Sequence, residues 1–295
     1  TYRYHALFAE FLRQRLAQEM PERMQALHRR AAESQPDLNR AIRHYVAAEM
    51  WVEAAACIEQ SGAALLQQGL LATVTGWLAA LPPAMRQSHP GLIHLLGACA
   101  WQRGEPLVAI GYLEQALAGF EATRDEAGQI QALTDLAPPL AMAARYDRMF
   151  AVSQHALAQR IGPASRVQLL MVRGIAAVTQ DDCATASACL AQALAITEAT
   201  NTSDVWAAQM IHCMSQFTVL PGAIDQVEHI CAEATRRLGG QASLASMAAA
   251  ARYTLVHLPR GRPAAAIRSA KRALALGEQL GGVSYLDGEA AWTLA

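Results

Sequence analysis

Cysteine and histidine have the widest chemical reach of the side chains in this sequence, and their spacing decides whether they can use it. Six cysteines, Cys57, Cys99, Cys183, Cys189, Cys213 and Cys231, are scattered without a C-x-x-C pair. A zinc site needs clustered ligands, so these thiols read as buried and reduced. The nine histidines are also dispersed, and the closest pair, His89 and His94, is poorly spaced for one helical face. No G-x-S-x-G, H-E-x-x-H or dinucleotide-binding glycine fingerprint occurs. Acidic residues mostly stand beside arginine, which is the pattern of a solvated surface. The expectation is a segment with no catalytic residue, no metal ligand and no cofactor of its own.

One charged cluster stands out. Arg260, Arg262, Arg268, Lys271 and Arg272 follow one another with no intervening acid, and the last three share a helix face. Such a face can meet phosphate. It also lies opposite Ala266, Ala270 and Ala273, where a helix packed on its neighbours places its solvated side. A solvated outer face is the reading, with an interdomain contact as the alternative.

Hydrophobic residues make up 53% of the chain, charged residues 17% and aromatic residues 6%. Alanine and leucine dominate, which favours closely packed helices over sheet. The net charge of −1 gives no general attraction to nucleic acid or anionic membrane. Apolar runs are broken by Arg, Gln or His well before the ~18 residues a membrane span requires. The chain therefore reads as cytoplasmic. Proline and glycine recur at short intervals, and the segments between them show helical rather than alternating periodicity. The fold class is all-α.

The segments repeat. YLEQALAGF, VSQHALAQR, CLAQALAIT and SAKRALALG align on Ala116, Ala156, Ala193 and Ala273, and the weaker ICAEATRRL supplies Ala234. Successive separations are 40, 37, 41 and 39 residues, a little longer than the ~34 of a tetratricopeptide repeat. Within the first copy, Ile93, Leu96, Gly97 and Ala100 form one stripe, and Ala109, Leu113 and Ala116 face it. Gly97 and Ala109 allow close approach, with Leu96 and Leu113 filling the gap. Leu170, Gly174 and Ala177 face Ala186, Leu190 and Ala193 in the same way. A single pair cannot bury both its faces, so the pairs must stack into a right-handed superhelix, a tetratricopeptide-like α-solenoid. In the second copy Pro138 and Pro139 fall inside the first helix. A kink or break is expected at Ala137, or else an early helix end.

If the first helix of each pair lines the inner curve, Gly97 sets the register of the inward side. That stripe is His94, Ala98, Trp101 and Gln102, with Met171, Ile175 and Val178 around Gly174, and His212 and Gln216 around Ser215. Met142 follows the proline pair, where a distorted helix could open a pocket. An indole, flexible thioethers and a few hydrogen-bonding groups in a mostly apolar groove suit an organic effector.

The order of phrases carries a resemblance. YRYHALFAEFLRQRL, LHRRAAE, AIRHYVAAEMWVEAAACIEQ and WLAALPPAMRQSHPGL occur in the order seen in the MalT-like, LuxR-type ATP-dependent transcriptional regulators of the STAND class. The resemblance is strong over residues 2–103 and generic over the repeats. It implies that residues 1–35 are the last helices of a winged-helix region. Residues 36–88 would be connecting helix pairs, and 89–295 tetratricopeptide-like repeats of a sensor domain, truncated at the C-terminal end. The chain has no phosphate-cradling G-x-x-x-x-G-K-[ST], so ATP is expected in an upstream domain, and DNA would be met only through a helix-turn-helix downstream of EAAWTLA. The expected partner is a small-molecule inducer or a regulatory protein, with no membrane contact and possible self-association of the full-length protein. A tetratricopeptide scaffold for an extended peptide, unrelated to transcription, is the alternative.

Overall fold

A computed structural model describes residues 6–212, 215–238, 242–281 and 290–291. Among them are sixteen α-helices, a 3₁₀ turn at Ser215–Val219 and no strand. The all-α superhelix of antiparallel pairs expected from the repeats is the architecture observed. The helices before the repeats are α1 (Ala6–Glu19), α2 (Pro21–Glu33), α3 (Leu38–Ala47), α4 (Trp51–Gln67), α5 (Leu71–Ala80) and α6 (Pro83–Ser88). Five pairs follow: α7 (Pro90–Gln102) with α8 (Pro106–Thr123), α9 (Glu126–Met142) with α10 (Tyr146–Leu157), and α11 (Pro163–Thr179) with α12 (Cys183–Thr200). The last two are α13 (Ser203–His212) with α14 (Ala223–Leu238), and α15 (Leu244–His257) with α16 (Pro263–Gln279). Cys213, the side chain of Gln216 and most of the EAAWTLA segment lie outside the described residues.

Local chemistry sets the helix boundaries. Proline occupies the first turn of α7, α8, α11 and α16, where its missing N–H has no intrahelical partner to lose. Asp125 and Asp182 cap α9 and α12 by accepting from the backbone N–H groups of Gly128 and Thr185. The turn inside each pair places one residue in the left-handed region: Gly104, Ala144, Asp181, Gly222 and Gly261. These positions lie 40, 37, 41 and 39 residues apart, the same separations as the repeat alanines. Four of these turns close with the same bond, from Glu105, Arg145, Asp182 and Arg262 back to the carbonyls of Ala100, Leu140, Ala177 and His257 at 2.9–3.0 Å.

Packing within a pair and onto the next depends on the small residues. A Cβ added to Gly97 would lie 2.8 Å from the Leu113 side chain, and one on Gly174 would lie 2.8 Å from Phe217 and 3.2 Å from Cys189. Ala109, Leu113 and Ala116 are buried, as are Ala186, Leu190 and Ala193. Leu96 departs from the expectation. It packs with Leu92, Leu95 and Cys99 against the core of α3 to α5 instead of filling the gap toward α8.

Pairs stack unevenly. The first helices α7, α9, α11, α13 and α15 each pack on the next, whereas no two second helices pack closely among the described residues. First helices therefore occupy the inner curve and second helices splay on the outer one. The curvature brings Leu280, just past α16, against Gly69, just past α4.

Ala144 adopts φ +55° in a turn where Gly104 adopts +75°. An L side chain there costs about 1 kcal/mol. Ala144→Gly is expected to stabilise the protein by about 1 kcal/mol and Gly104→Ala to destabilise it by about the same amount, read from urea unfolding midpoints.

Candidate effector-binding site

On the inner curve the first helices line a half-open cavity of about 190 Å³. α7 contributes Trp101, α9 contributes Pro138, Ala141 and Met142, and α10 adds Tyr146 at its start. Val172, Ile175 and Thr179 of α11 and Ile211 and His212 of α13 complete the lining. An indole, a thioether, a phenol and aliphatic groups form the walls, and Thr179 and His212 supply polar atoms.

The cavity sits at the proline pair, but not because the helix breaks there. α9 runs unbroken to Met142 through Pro138 and Pro139, so the break or early end expected at Ala137 does not occur. Pro138 lacks the N–H that would bond the carbonyl of Thr134 four residues back. Gln168 of α11 takes its place, its Nε2 donating to the Thr134 carbonyl at 3.2 Å. A neighbouring helix thus supplies the bond that proline removes, and both prolines are buried in the stack.

Gln168 belongs to a set that motif reading missed. Gln131, Gln168 and Gln209 are 37 and 41 residues apart, matching the repeat. Gln131 donates to Asp135 Oδ2 at 2.9 Å, Gln168 reaches Asp135 Oδ1 at 3.3 Å, and Gln209 donates to the Met171 sulfur at 3.1 Å while its Oε1 accepts from Thr197 at 3.0 Å. His94 Nε2 donates to Asp135 Oδ2 at 2.9 Å, joining α7 to α9. Burial raises the Asp135 carboxyl, but the hydrogen bond and charge of His94, with Gln131 and Gln168, outweigh it and hold the group below its usual range. The recurrence of glutamine at the repeat spacing was the available signal.

Of the ten residues expected on the inner groove, the structure brings Trp101, Met142, Ile175 and His212 together. His94 and Met171 are corrected to seam positions. They are 8% and 0% exposed and bond the next first helix rather than opening onto the cavity. Their place three residues before the close-approach glycine turns them into the contact between successive first helices. Gln102 donates to the Leu66 carbonyl at 3.1 Å, and Ala98 packs on the core of α3 to α5, so both face the preceding helices. Val178 packs on the core shared by α11 to α16. Gln216 lies outside the described side chains. Pro138, Ala141, Tyr146, Val172, Thr179 and Ile211 were not anticipated. Pro138, Ala141 and Thr179 stand one, four and five residues past the close-approach position of their helices, where the periodicity places them.

Burial lowers the His212 pKa to about 4, with Arg252 acting in the same direction and Asp135 opposing. The imidazole is therefore neutral at pH 7 and offers one donor and one acceptor without charge. Two consequences are measurable. Gln168→Leu leaves the Thr134 carbonyl without its replacement donor, so unfolding in urea should show a loss of about 1–3 kcal/mol. For His212, the unfolded chain takes up a proton near its ordinary 6.5 and the folded chain only near 4, so stability falls as pH drops across that window and levels off below it. The wild type should lose more stability between pH 7 and 4.5 than His212→Gln does, measured by urea midpoints at both values.

Among the described residues no helix is long and apolar enough to cross a membrane, and no group of three or more His, Cys, Asp or Glu is placed to hold a metal ion. Compared with known proteins, the chain matches no protein-family model and no curated protein.

Proposed function

We propose that this chain is the effector-sensing and protein-interaction segment of a MalT-like, LuxR-type ATP-dependent transcriptional regulator, with no catalysis of its own. The observation that carries the sensing half is the convergence of Trp101, Met142, Ile175 and His212 on one inner-curve cavity. The regulator half rests on the order of phrases over residues 2–103. Nucleotide binding would belong to an upstream domain and DNA reading to a downstream helix-turn-helix.

The cavity chemistry defines the effector. A volume near 190 Å³ exceeds the ~150 Å³ that holds a benzene-sized guest. Its lining carries no charged side chain, and His212 is neutral at pH 7. The ligand is a small, uncharged, largely apolar molecule with one or two hydrogen-bonding groups. An extended peptide would instead need successive pockets for alternate side chains. Because α7, α9, α11 and α13 all contribute to one cavity, a guest that prefers one spacing of these helices biases the curvature of the superhelix. The bias can be no larger than the difference in affinity between the two spacings.

The test is a thermal-shift screen of uncharged small metabolites against pools of extended peptides, in which a ligand at about 100 times its Kd adds about 2.7 kcal/mol. For a small-molecule hit, Trp101→Ala and His212→Ala should each weaken binding by about tenfold or more with helicity unchanged. If both variants stay within about a factor of two of wild type, the cavity is not the site. Hits confined to the peptide pools would favour the scaffold reading.

A further inference from the structure

A second cavity, of about 200 Å³, opens on the outer side of the stack, where α14 and α16 splay apart and α15 forms the floor. Its lining is unlike that of the inner cavity. Ala249 and Ala250 of α15 make an apolar floor, while Ser269 and Arg272 of α16 stand at one wall with Tyr253 and His257 beside them. No carboxylate lines it.

Three observations define the polar side of this cavity. First, the basic cluster divides. Arg260 pairs with Asp225 and Glu228, and Arg262 with Glu228 at 2.8 Å, so α14 neutralises the first two cations. Arg272 has no acidic partner among the described residues and lines the cavity with an exposed guanidinium. Second, burial holds His257 below its ordinary pKa, and Arg262 and Arg268 push it the same way, against Glu228. The imidazole is therefore neutral at pH 7 and adds no charge of its own to the cavity. Third, the Nδ1 of His257 is buried with no hydrogen-bond partner among the described residues, and a buried polar atom in that state calls for one. The ring of His257 is held in place by stacking on Tyr253, with centroids 5.1 Å apart and planes 12° apart.

We propose that this outer cavity binds a small ring-bearing organic oxyanion, a phosphate monoester or a carboxylate, with Arg272 as the contact for the charged group. Guanidinium presents paired donors matched to either oxyanion. The apolar floor of Ala249 and Ala250 receives the ring, since a cavity above ~150 Å³ accommodates a benzene-sized body. This site is separate from the inner cavity and takes a ligand of opposite character, charged rather than neutral.

Isothermal titration of the whole chain at fixed ionic strength with phenyl phosphate, benzoate, inorganic phosphate and benzyl alcohol tests the assignment. Phenyl phosphate or benzoate should saturate one site, and whichever binds more tightly identifies the natural ligand as phosphate or carboxylate. Benzyl alcohol should bind about tenfold more weakly or worse. Arg272 is exposed, so Arg272→Gln should leave helicity intact while weakening the anion by about tenfold or more. Lys271→Gln, the same charge change on the adjacent residue outside the lining, should stay within about a factor of two. The proposal is overturned if neither aromatic anion saturates, if benzyl alcohol binds equally well, or if both variants lose affinity alike. Inorganic phosphate binding as tightly as phenyl phosphate would also overturn it, because the apolar floor would then contribute nothing.

Discussion

Direct packing of each first helix on the next, from α7 through α15, is the contact on which the rest of this structure depends. An antiparallel pair buries one face between its own two helices and leaves another exposed, so stacking is obligatory. The row of first helices is the line along which the stacking closes most tightly. Curvature follows, because second helices that do not meet must diverge. Each side of the stack then has its own kind of opening. The inner side narrows around aromatic and aliphatic groups, and the outer side parts into a groove with polar walls.

Polar groups hold that row in register. Asp135 accepts from His94 on one neighbour, Gln168 on the other and Gln131 on its own helix. A half-buried carboxylate with this many donors is compensated for its partial loss of water, whereas one left without them would be destabilising. Sliding one first helix along the next would break these bonds together, so the seam defines the register in a way that alanine contacts cannot. Gln168 does a second job, replacing the backbone donor that Pro138 lacks. Proline is tolerated in α9 because the adjacent repeat supplies the missing bond.

The two openings differ in electrostatics for a reason rooted in the pairs themselves. Inner-curve lining comes from first helices, whose side chains meet other first helices and are selected for close apolar contact. Outer-curve lining comes partly from second helices, whose far sides are solvated and carry charge. Arg260 and Arg262 find acids on α14, but Arg272, farther along α16, lies beyond their reach and is left facing the groove.

The helices, the pairing and the repeat of 37 to 41 residues were all legible in the sequence. Proline starts, alanine stripes and the close-approach glycines act locally or between neighbours a few turns apart, and they fold as their types dictate. Four of the ten inner-groove residues were legible for the same reason, since helical periodicity places a side chain on a face. Tertiary structure alone decided which part of that face stays open. His94 and Met171 carry the periodicity of groove residues yet are covered, because the next first helix approaches closely enough to bond them. It also decided the fate of Pro138, which no local rule favours inside a helix and which only a glutamine from another repeat makes tolerable. The left-handed turn residues show the same division. Gly104, Gly222 and Gly261 announce the turn in the sequence, whereas Ala144 and Asp181 take the same left-handed backbone because the packing of the flanking helices requires it.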